Sequence, residues 1–496
     1  MKRFMTLLIA LLMCAGAIGC ASTPGGNDNE SKTAGDGKES DQSKTESGED
    51  ETEEETEGPV FAGMEEKSFG GKDFKFLYRT TEEYQFYTDA INGEAVNDAV
   101  RDRNLLVEST FGVKIVGIPV PGDWGQHDAY MAMMKKAILA NDGAYDLIDG
   151  YAAVIGGAYA DGLMLNLNKI ENLRLTSPWW SQFAVNELTV NGKLFSVPGD
   201  LSLNLWKNIQ VMYFNKTVMK DHNVANPYEA VRDGTWTYDK YLEMNKNIAN
   251  DENGNGDKDN EDRFGSVYYD DLTFDNFHYA FDISYTLKND DGSVSLNLNT
   301  PLMVDVYEKI NDLAYNNPDV YYIKGDRVSS TNMFTQNRAL FFASVLEDAE
   351  NMRDMDSDFG IIPYPKLDET QKYYKTTSRD GRSMFCIPID AGDPDYSGLI
   401  TEALCVASNR ILKPVYYEKV LKGRVARDTE SSEMLDIIRE GLTFDFVAEH
   451  SLQTARAGFI LRDCIYYERN YATFEKQNHK AFDRAFTKFV DYYMDK

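Results

Sequence analysis

Hydrophobic positions in the body of the chain alternate between strand-like and helix-like spacing. Polar and apolar residues alternate over Lys72–Tyr78, which predicts a first β-strand. Apolar residues recur at helical spacing over Glu94–Phe111 and again over Asp128–Ala140. The short apolar runs Val113–Ile118 and Tyr145–Asp149 predict two more strands. Strands that alternate with helices are typical of an α/β fold with mostly parallel sheets.

The first 20 residues have the pattern of an export signal. Lys2 and Arg3 precede the apolar run Phe4–Met13, which is shorter than the ~20 residues that a transmembrane helix needs. The sequence Ala17-Ile18-Gly19-Cys20 then resembles a bacterial lipobox. The resemblance implies cleavage before Cys20, lipidation of its thiol and anchoring to a membrane. An ordinary signal peptide that happens to end near a cysteine is the alternative.

Composition separates an acidic spacer from the folded body. Residues 21–60 hold 13 acidic residues, three lysines and no aromatic, Leu, Ile or Met residue, so burial cannot offset the entropy of ordering them. We interpret this stretch as a disordered linker. The whole chain of 496 residues carries a formal net charge of −30, which disfavours nucleic-acid binding because phosphates need Lys and Arg partners. Aromatic residues make up 12% of the chain, too many for a mainly disordered protein.

Short segments of the body follow one another in an order that is typical of one family. They are Ile91–Asn104, Phe111–Ile115, Tyr145–Asp149, Gly156–Met164, Met212–Lys216, Gly234–Tyr238, Asn337–Phe341, Gly360–Lys366 and Arg427–Ile438. In this order the chain resembles the bacterial extracellular solute-binding lipoproteins of ABC importers, of the large carbohydrate-binding type. The resemblance implies a two-lobed, periplasmic-binding-protein-like α/β fold with the ligand in a cleft between the lobes.

The same resemblance implies a division of the chain. We expect lobe 1 to comprise residues 61–209 and a return at 359–412, and lobe 2 to comprise residues 210–358. Residues 413–496 are expected to form a C-terminal helical segment that belongs mainly to lobe 2. Three cysteines remain in the body, an odd number without metal-like spacing. We expect each to be a small buried residue, and a disulfide between two of them is the alternative. They are Cys386, Cys405 and Cys464.

A sugar presents apolar ring faces and rings of hydroxyl groups, so a cleft for it needs aromatic side chains together with carboxylates, amides and guanidinium groups. By resemblance, these should follow the strands that end at the cleft, with Trp206 as the best candidate for stacking. The candidate ligand-binding residues are Arg79, Glu83, Tyr84, Asp149, Tyr151, Trp206, Asn208, Asp275, Asn276, Tyr279, Glu347, Arg379, Asp380 and Arg382.

One acidic loop has the spacing of an EF-hand calcium site. Oxygen-bearing residues stand at positions 1, 3, 5, 7, 9 and 12, position 7 acting through its backbone carbonyl, and Gly256 stands at the sharp turn. The predicted ligands are Asp251, Asn253, Asn255, Asp257, Asp259 and Asp262. Position 12 is Asp rather than the usual Glu, so its reach is shorter. We expect a structural Ca²⁺ ion here, with a solvated acidic turn as the alternative.

Function follows from the resemblance and from the motifs that are missing. The sequence has no Gly-x-Ser-x-Gly elbow, no His-Glu-x-x-His helix and no phosphate-binding loop, which favours a binding protein over an enzyme. We expect a monomer, lipid-anchored on the extracellular face of the cytoplasmic membrane, that delivers a carbohydrate, an oligosaccharide in our interpretation, to ABC permease subunits. A peptide or other solute as ligand, and a secreted glycoside hydrolase, are the alternatives.

Overall fold

The computed structural model describes residues 59–425 and 428–494. The predicted export signal, the lipidation site at Cys20 and nearly all of the predicted linker lie outside the described residues. The strands within the described part are β1 (Lys72–Arg79), β2 (Val113–Val120), β3 (Leu147–Tyr151), β4 (Gln210–Asn215), β5 (Phe264–Tyr268), β6 (Thr286–Lys288), β7 (Val294–Leu296), β8 (Val320–Tyr322), β9 (Ala339–Val345), β10 (Phe359–Ile362) and β11 (Ser383–Cys386).

Helices cover both sheets and form most of the C-terminal part. The α-helices are α1 (Glu83–Phe86), α2 (Ala95–Phe111), α3 (His127–Ala140), α4 (Ala152–Ala160), α5 (Gln182–Leu188), α6 (Asn204–Lys207), α7 (Lys216–Asp221), α8 (Pro227–Arg232), α9 (Tyr238–Asn245), α10 (Asp271–Ala280), α11 (Pro301–Asn311), α12 (Arg327–Thr335), α13 (Asp348–Asn351), α14 (Pro394–Ala407), α15 (Thr429–Glu440), α16 (Phe446–Glu449), α17 (Ile460–Tyr466) and α18 (Tyr471–Tyr493). Segments of 3₁₀-helix cover Thr80–Glu82, Leu167–Lys169 and Ala457–Phe459, and π-helix covers Asp312–Asn316, Ser408–Leu412 and Val415–Val425.

The first sheet has the strand order β11-β3-β1-β2, and it confirms the strands predicted from the N-terminal half. β1 pairs in parallel with β2 and β3, and β11 is antiparallel to β3. The predicted third strand begins two residues later than expected, at Leu147. Helix α2 ends at Phe111 because Gly112 takes a left-handed conformation with φ of 57°, which suits glycine at a helix C-terminus.

The second sheet has the order β10-β4-β9-β5-β8 and mixes strand directions. β5 is parallel to β9 and β8, whereas β4 is antiparallel to both β9 and β10. The expectation of a mostly parallel sheet therefore holds for the first sheet only. β4 is the first strand of the second sheet along the chain, and α4, α5 and α6 separate it from β3 of the first sheet.

Two extended segments run side by side between the sheets. Ile209 and Ser378 form an antiparallel bridge, the Gln210 N–H donates to the Thr377 carbonyl at 3.0 Å, and the Arg379 N–H donates to the Asn208 carbonyl at 2.9 Å. We call residues 376–382 the crossing segment. Because β10 still belongs to the second sheet, the return to the first sheet lies after Ile362 rather than at residue 359.

The C-terminal helices pack on both sheets rather than mainly on the second. α15 contacts β10 and α17 contacts α10, while α18 contacts α4 of the first lobe as well as α11. Cys386, Cys405 and Cys464 are each buried and unpaired, which confirms their predicted place in the core and leaves no disulfide among them. Over the described residues, no helix is both long and apolar enough to cross a membrane.

Candidate functional site

The strand ends of both sheets meet at the crossing segment, which makes this region the candidate for the predicted cleft. β1, β2 and β3 are parallel, so the residues that follow them lie along one edge of the first sheet. In the second sheet, β5 and β9 end together, before Tyr269 and Leu346. Arg379 joins this edge to the crossing segment, because its Nη1 donates to the Tyr269 hydroxyl at 3.0 Å and its Nη2 bonds to Asp270. A cleft at such strand ends is where α/β proteins bind ligands.

Arg79 and Asp149 form a buried pair beneath the cleft. Arg79 is 1% exposed and Asp149 is 0% exposed. Arg79 Nε donates to Asp149 Oδ2 at 2.9 Å, its Nη1 donates to the Gly381 carbonyl at 2.8 Å, and its Nη2 donates to Ser383 Oγ at 3.0 Å. Since these donors are used within the protein, the pair ties the first sheet to the crossing segment. Both residues were predicted to contact ligand, but their side chains have almost no exposed surface with which to do so. They support the site from beneath instead.

Glu82 adds a second carboxylate beside the same arginine. Its Oε1 lies 3.9 Å from Arg79 Nη1, and its Oε2 accepts from Gln85 Nε2 at 2.5 Å. Burial raises the pKa of the Glu82 carboxyl to about 7, against the lowering effect of Arg79, and Asp149 adds to the rise. Arg79 therefore compensates only part of the cost of burying the Glu82 charge. Sequence reasoning selected its neighbours Glu83 and Tyr84 but not Glu82.

Trp124 presents the aromatic surface of the first lobe. It follows β2, its side chain is 50% exposed, and its ring stacks on His127 with centroids 5.0 Å apart. The Tyr151 ring lies 6.0 Å from it, and the Arg79 guanidinium lies 5.2 Å from the centre of Tyr151. Trp124 is not among the predicted ligand-binding residues, although its position after a parallel strand was a usable signal. Tyr151, a predicted ligand-binding residue, lies between Trp124 and Arg79, and its role as a contact stays a prediction.

Tyr84 and Glu347 come together at one end of the cleft through a lysine. Lys207 Nζ lies 2.9 Å from Glu347 Oε1 and 4.9 Å from the centre of the Tyr84 ring. A pocket of about 300 Å³ adjoins this group; among its lining residues are Leu203, Glu350 and Tyr416. Two other candidates lie close by in the chain: Glu83 accepts from the Tyr78 hydroxyl at 3.2 Å, and Asn208 bonds to Arg379 through its carbonyl.

Trp206 is packed into the body of the protein. It is 9% exposed, the Tyr417 ring meets it edge-on at 6.4 Å, and Lys413 Nζ lies 5.2 Å from its centre. A buried indole with covered faces has no surface on which a sugar can stack. The prediction of Trp206 as the stacking residue therefore conflicts with its burial, because α6 turns this side chain toward Lys413 and Tyr417.

Four further candidates, Asp275, Asn276, Tyr279 and Arg382, are buried where α10 meets the crossing segment. Arg462 links this group to Asp380, since it donates to Asp275 Oδ2 and Asp380 Oδ2 at 2.9 Å each. Burial opposes ionisation of Asp275, but Arg462 and His278 together outweigh it, and the pKa of this carboxyl lies below its ordinary value. Only Asp380 keeps partial exposure, at 23% of its side chain. The other four hold the crossing segment in place.

The predicted calcium loop folds back on itself through its own side chains. Asp251 accepts from the N–H groups of Gly254 and Gly256, at 2.7 and 2.9 Å, and Asp259 Oδ2 accepts from the amides of Asn253 and Asn255. Carboxylate and amide oxygens are the donors that Ca²⁺ prefers. In the described part of the chain, however, no group of three or more His, Cys, Asp or Glu residues is arranged to hold a metal ion. The calcium site stays a prediction.

Comparison with known proteins agrees with this architecture. Residues 110–409 match the family model described as "Bacterial extracellular solute-binding protein". A search of curated protein sequences gives no match. Among solved structures, the GacH receptor of Streptomyces glaucescens, determined unliganded and with acarbose, is 14% identical over 84% of this chain and 98% of its own, with a TM-score of 0.52.

Two further structures are similar in the same way. An ABC substrate-binding protein from Listeria monocytogenes in complex with cycloalternan is 10% identical over 85% of this chain and 98% of its own, with a TM-score of 0.52. An ABC transporter solute-binding protein from Thermotoga lettingae bound with α-D-tagatose is 12% identical over 84% of this chain and 100% of its own, with a TM-score of 0.53. At these identities the likeness shows a shared two-lobed fold.

Proposed function

The chain belongs to the bacterial extracellular solute-binding protein family, and we propose that it captures a neutral carbohydrate, an oligosaccharide, in the cleft and delivers it to an ABC importer. The observation that carries this proposal is the half-exposed Trp124 beside Tyr151 at the strand ends of the first lobe. Flat aromatic faces suit the apolar faces of sugar rings. The three similar structures contain acarbose, cycloalternan and tagatose, which are carbohydrates or carbohydrate analogues.

Charge pairing around the cleft favours a neutral ligand. The basic groups there each have a carboxylate partner: Lys207 with Glu347, Arg379 with Asp270, and Arg327 with Asp348. An anionic ligand or a peptide terminus would have to displace one of these partners. Paired carboxylates and guanidinium groups still offer spare acceptor and donor positions, which suit hydroxyl groups.

Capture would couple to closure of the lobes. A ligand that contacts Trp124 on one side and the Tyr269 edge on the other gains contacts with both lobes only when they approach. Such a ligand therefore shifts the population toward the closed form. We infer that the closed form is what the permease subunits recognise, and that a lipid at Cys20 keeps the monomeric receptor near them.

Two experiments test these proposals. Thermal unfolding in the presence of neutral oligosaccharides, oligopeptides, polyols and anionic sugars should show stabilisation by an oligosaccharide, about 2.7 kcal/mol when the ligand is at 100 times its Kd. Chromatography of the same mixtures distinguishes binding from hydrolysis, because a receptor returns the glycan intact. For the anchor, Cys20→Ala should move the protein from the membrane fraction to the medium, and unchanged fractionation would refute lipidation at this residue.

A further inference from the structure

The C-terminal helix α18 begins against the second lobe. Its 23 residues give it a length of about 34 Å. The hydroxyl of Tyr471, its first residue, donates to the Leu298 carbonyl at 2.9 Å, and the Tyr471 ring lies 5.6 Å from the ring of Tyr307 on α11. α11 leads through a π-helical turn to β8 of the second sheet. Tyr471 is buried, so this end of the helix is anchored in the second lobe.

The other end of α18 is buried against the first lobe. Tyr493 meets Phe195 edge-on with ring centroids 5.1 Å apart, and Phe195 stacks on Tyr159 of α4 at 5.6 Å. Two residues after Phe195, Val197 forms a bridge with Phe385 in β11 of the first sheet. Tyr493, Phe195 and Tyr159 are all buried. One continuous helix therefore ends in a different lobe from the one in which it begins.

The β6–β7 hairpin connects the same two lobes. At its base, Tyr285 stacks on His278 of α10, in the second lobe, with ring centroids 4.4 Å apart. At its tip, the Gly292 carbonyl accepts from the Asn191 N–H of the first lobe at 3.0 Å. The side-chain amide of Asn191 donates to the Tyr493 carbonyl at 3.1 Å. The hairpin and the helix therefore reach the first lobe at one turn, and β7 also contacts α18 directly.

These anchors resist separation of the lobes. An α-helix has a fixed rise per residue, so α18 cannot lengthen while both of its ends stay bound. Lobes that open about the crossing segment must then detach Tyr493 from Phe195 or Tyr471 from α11, and either detachment exposes buried aromatic surface to water. We propose that α18 and the β6–β7 hairpin form a brace that limits how far the lobes open. The brace acts in the ligand-free protein, so it is independent of what the cleft binds.

The test is the distance between the lobes in the ligand-free protein, measured by double electron–electron resonance. Spin labels are attached at Asp128→Cys on α3 and Val328→Cys on α12, two exposed positions in the first and second lobes. Cys14 and Cys20 are replaced by Ala, and the three cysteines of the described body are buried. Adding Tyr493→Ala should shift the distance distribution to longer values, because it removes one anchor of the brace. An unchanged distribution would overturn the proposal and would leave carbohydrate binding unaffected, since no ligand is present.

A matched control separates loss of the brace from loss of stability. Val107→Ala removes buried apolar surface from α2 of the first lobe, and Val107 has no part in the brace. This variant should unfold more easily and yet keep the original distance distribution. An equal shift in Val107→Ala and Tyr493→Ala would overturn the proposal, because any destabilised variant would then open. If Tyr493→Ala does not fold, Phe195→Leu makes a smaller change at the same contact and takes its place, with the same two outcomes.

Discussion

Replacing Arg79 with methionine should destabilise the protein strongly, because it removes a cation from a fully buried pair. Methionine matches the arginine side chain as far as Nε, so the change keeps the apolar stem and removes the rest of the guanidinium with its charge and donors. Bonds to Asp149, to the Gly381 carbonyl and to Ser383 disappear, and the Asp149 carboxylate stays buried without its cation. Breaking a buried pair in this way costs about 3–5 kcal/mol.

Chemical denaturation followed by intrinsic fluorescence measures this cost as a shift of the unfolding midpoint. Arg232→Met is the control, since its partners Glu229, Glu430 and Glu433 lie at the surface and solvent screens them. Its midpoint should stay close to that of the wild type. Adding Asp149→Leu to Arg79→Met should recover part of the loss, because no unpaired charge remains. The reasoning is refuted if Arg79→Met and Arg232→Met have the same midpoint, or if the double variant is less stable than Arg79→Met.

Three further predictions concern the cleft and the acidic loop. Trp124→Ala should weaken binding of the stabilising oligosaccharide about tenfold by calorimetry, from the loss of about 1.4 kcal/mol of stacking. Tyr373→Ala, at an exposed tyrosine that has no part in the proposed contacts, is the control and should keep the wild-type affinity. Equal affinities of Trp124→Ala and wild type would exclude Trp124 from the site. The folded state holds the Glu82 proton more tightly than the unfolded state, so stability should fall as the pH rises from about 4.5 through about 7. Glu82→Gln should remove up to roughly 3 kcal/mol of this dependence of stability on pH, measured by melting curves at a series of pH values. If the stability of variant and wild type changes with pH in the same way, the prediction is wrong. EGTA should lower the melting temperature of the wild type and leave Asp251→Ala unaffected; a wild-type curve that EGTA does not move, with no bound calcium by elemental analysis, would rule out the loop as a site.

Local sequence patterns predicted the first lobe well, because its strands and helices depend mainly on residues that are close together in the chain. Polar and apolar residues alternate at the start of β1, and β2 is a short run of mainly apolar residues. α2 has a clear apolar face and ends before Gly112. The second sheet was harder to predict. The direction of β4 depends on how the chain crosses between the lobes, and nothing within Gln210–Asn215 encodes that direction.

Which of the candidate residues contact ligand stays a prediction, but the structure brings several of them near one another. Tyr84 and Glu347 meet at Lys207, and Tyr151 lies beside Gly381 of the crossing segment, which also contains Arg379 and Asp380. Residue type alone could not show which tryptophan is exposed, because the burial of Trp206 depends on Tyr417 and Lys413, more than 200 residues away in the chain.

The same limit applies to the arginines. A guanidinium near a cleft can bind ligand or hold the protein together. Arg79 donates to Asp149, Gly381 and Ser383, and Arg382 donates to the Ser378 carbonyl through its Nη1. That distinction depends on distances between strands and on burial. It appears only once the two sheets and the crossing segment are assembled.

The most direct test of the central claim is titration calorimetry of the purified protein with a panel of neutral oligosaccharides, oligopeptides and anionic sugars, each with wild type and Trp124→Ala. We predict that a neutral oligosaccharide binds the wild type with one-to-one stoichiometry, is recovered intact and loses affinity in the variant. Binding of peptides or anionic sugars alone, or release of cleaved glycan, would contradict the assignment as a carbohydrate receptor.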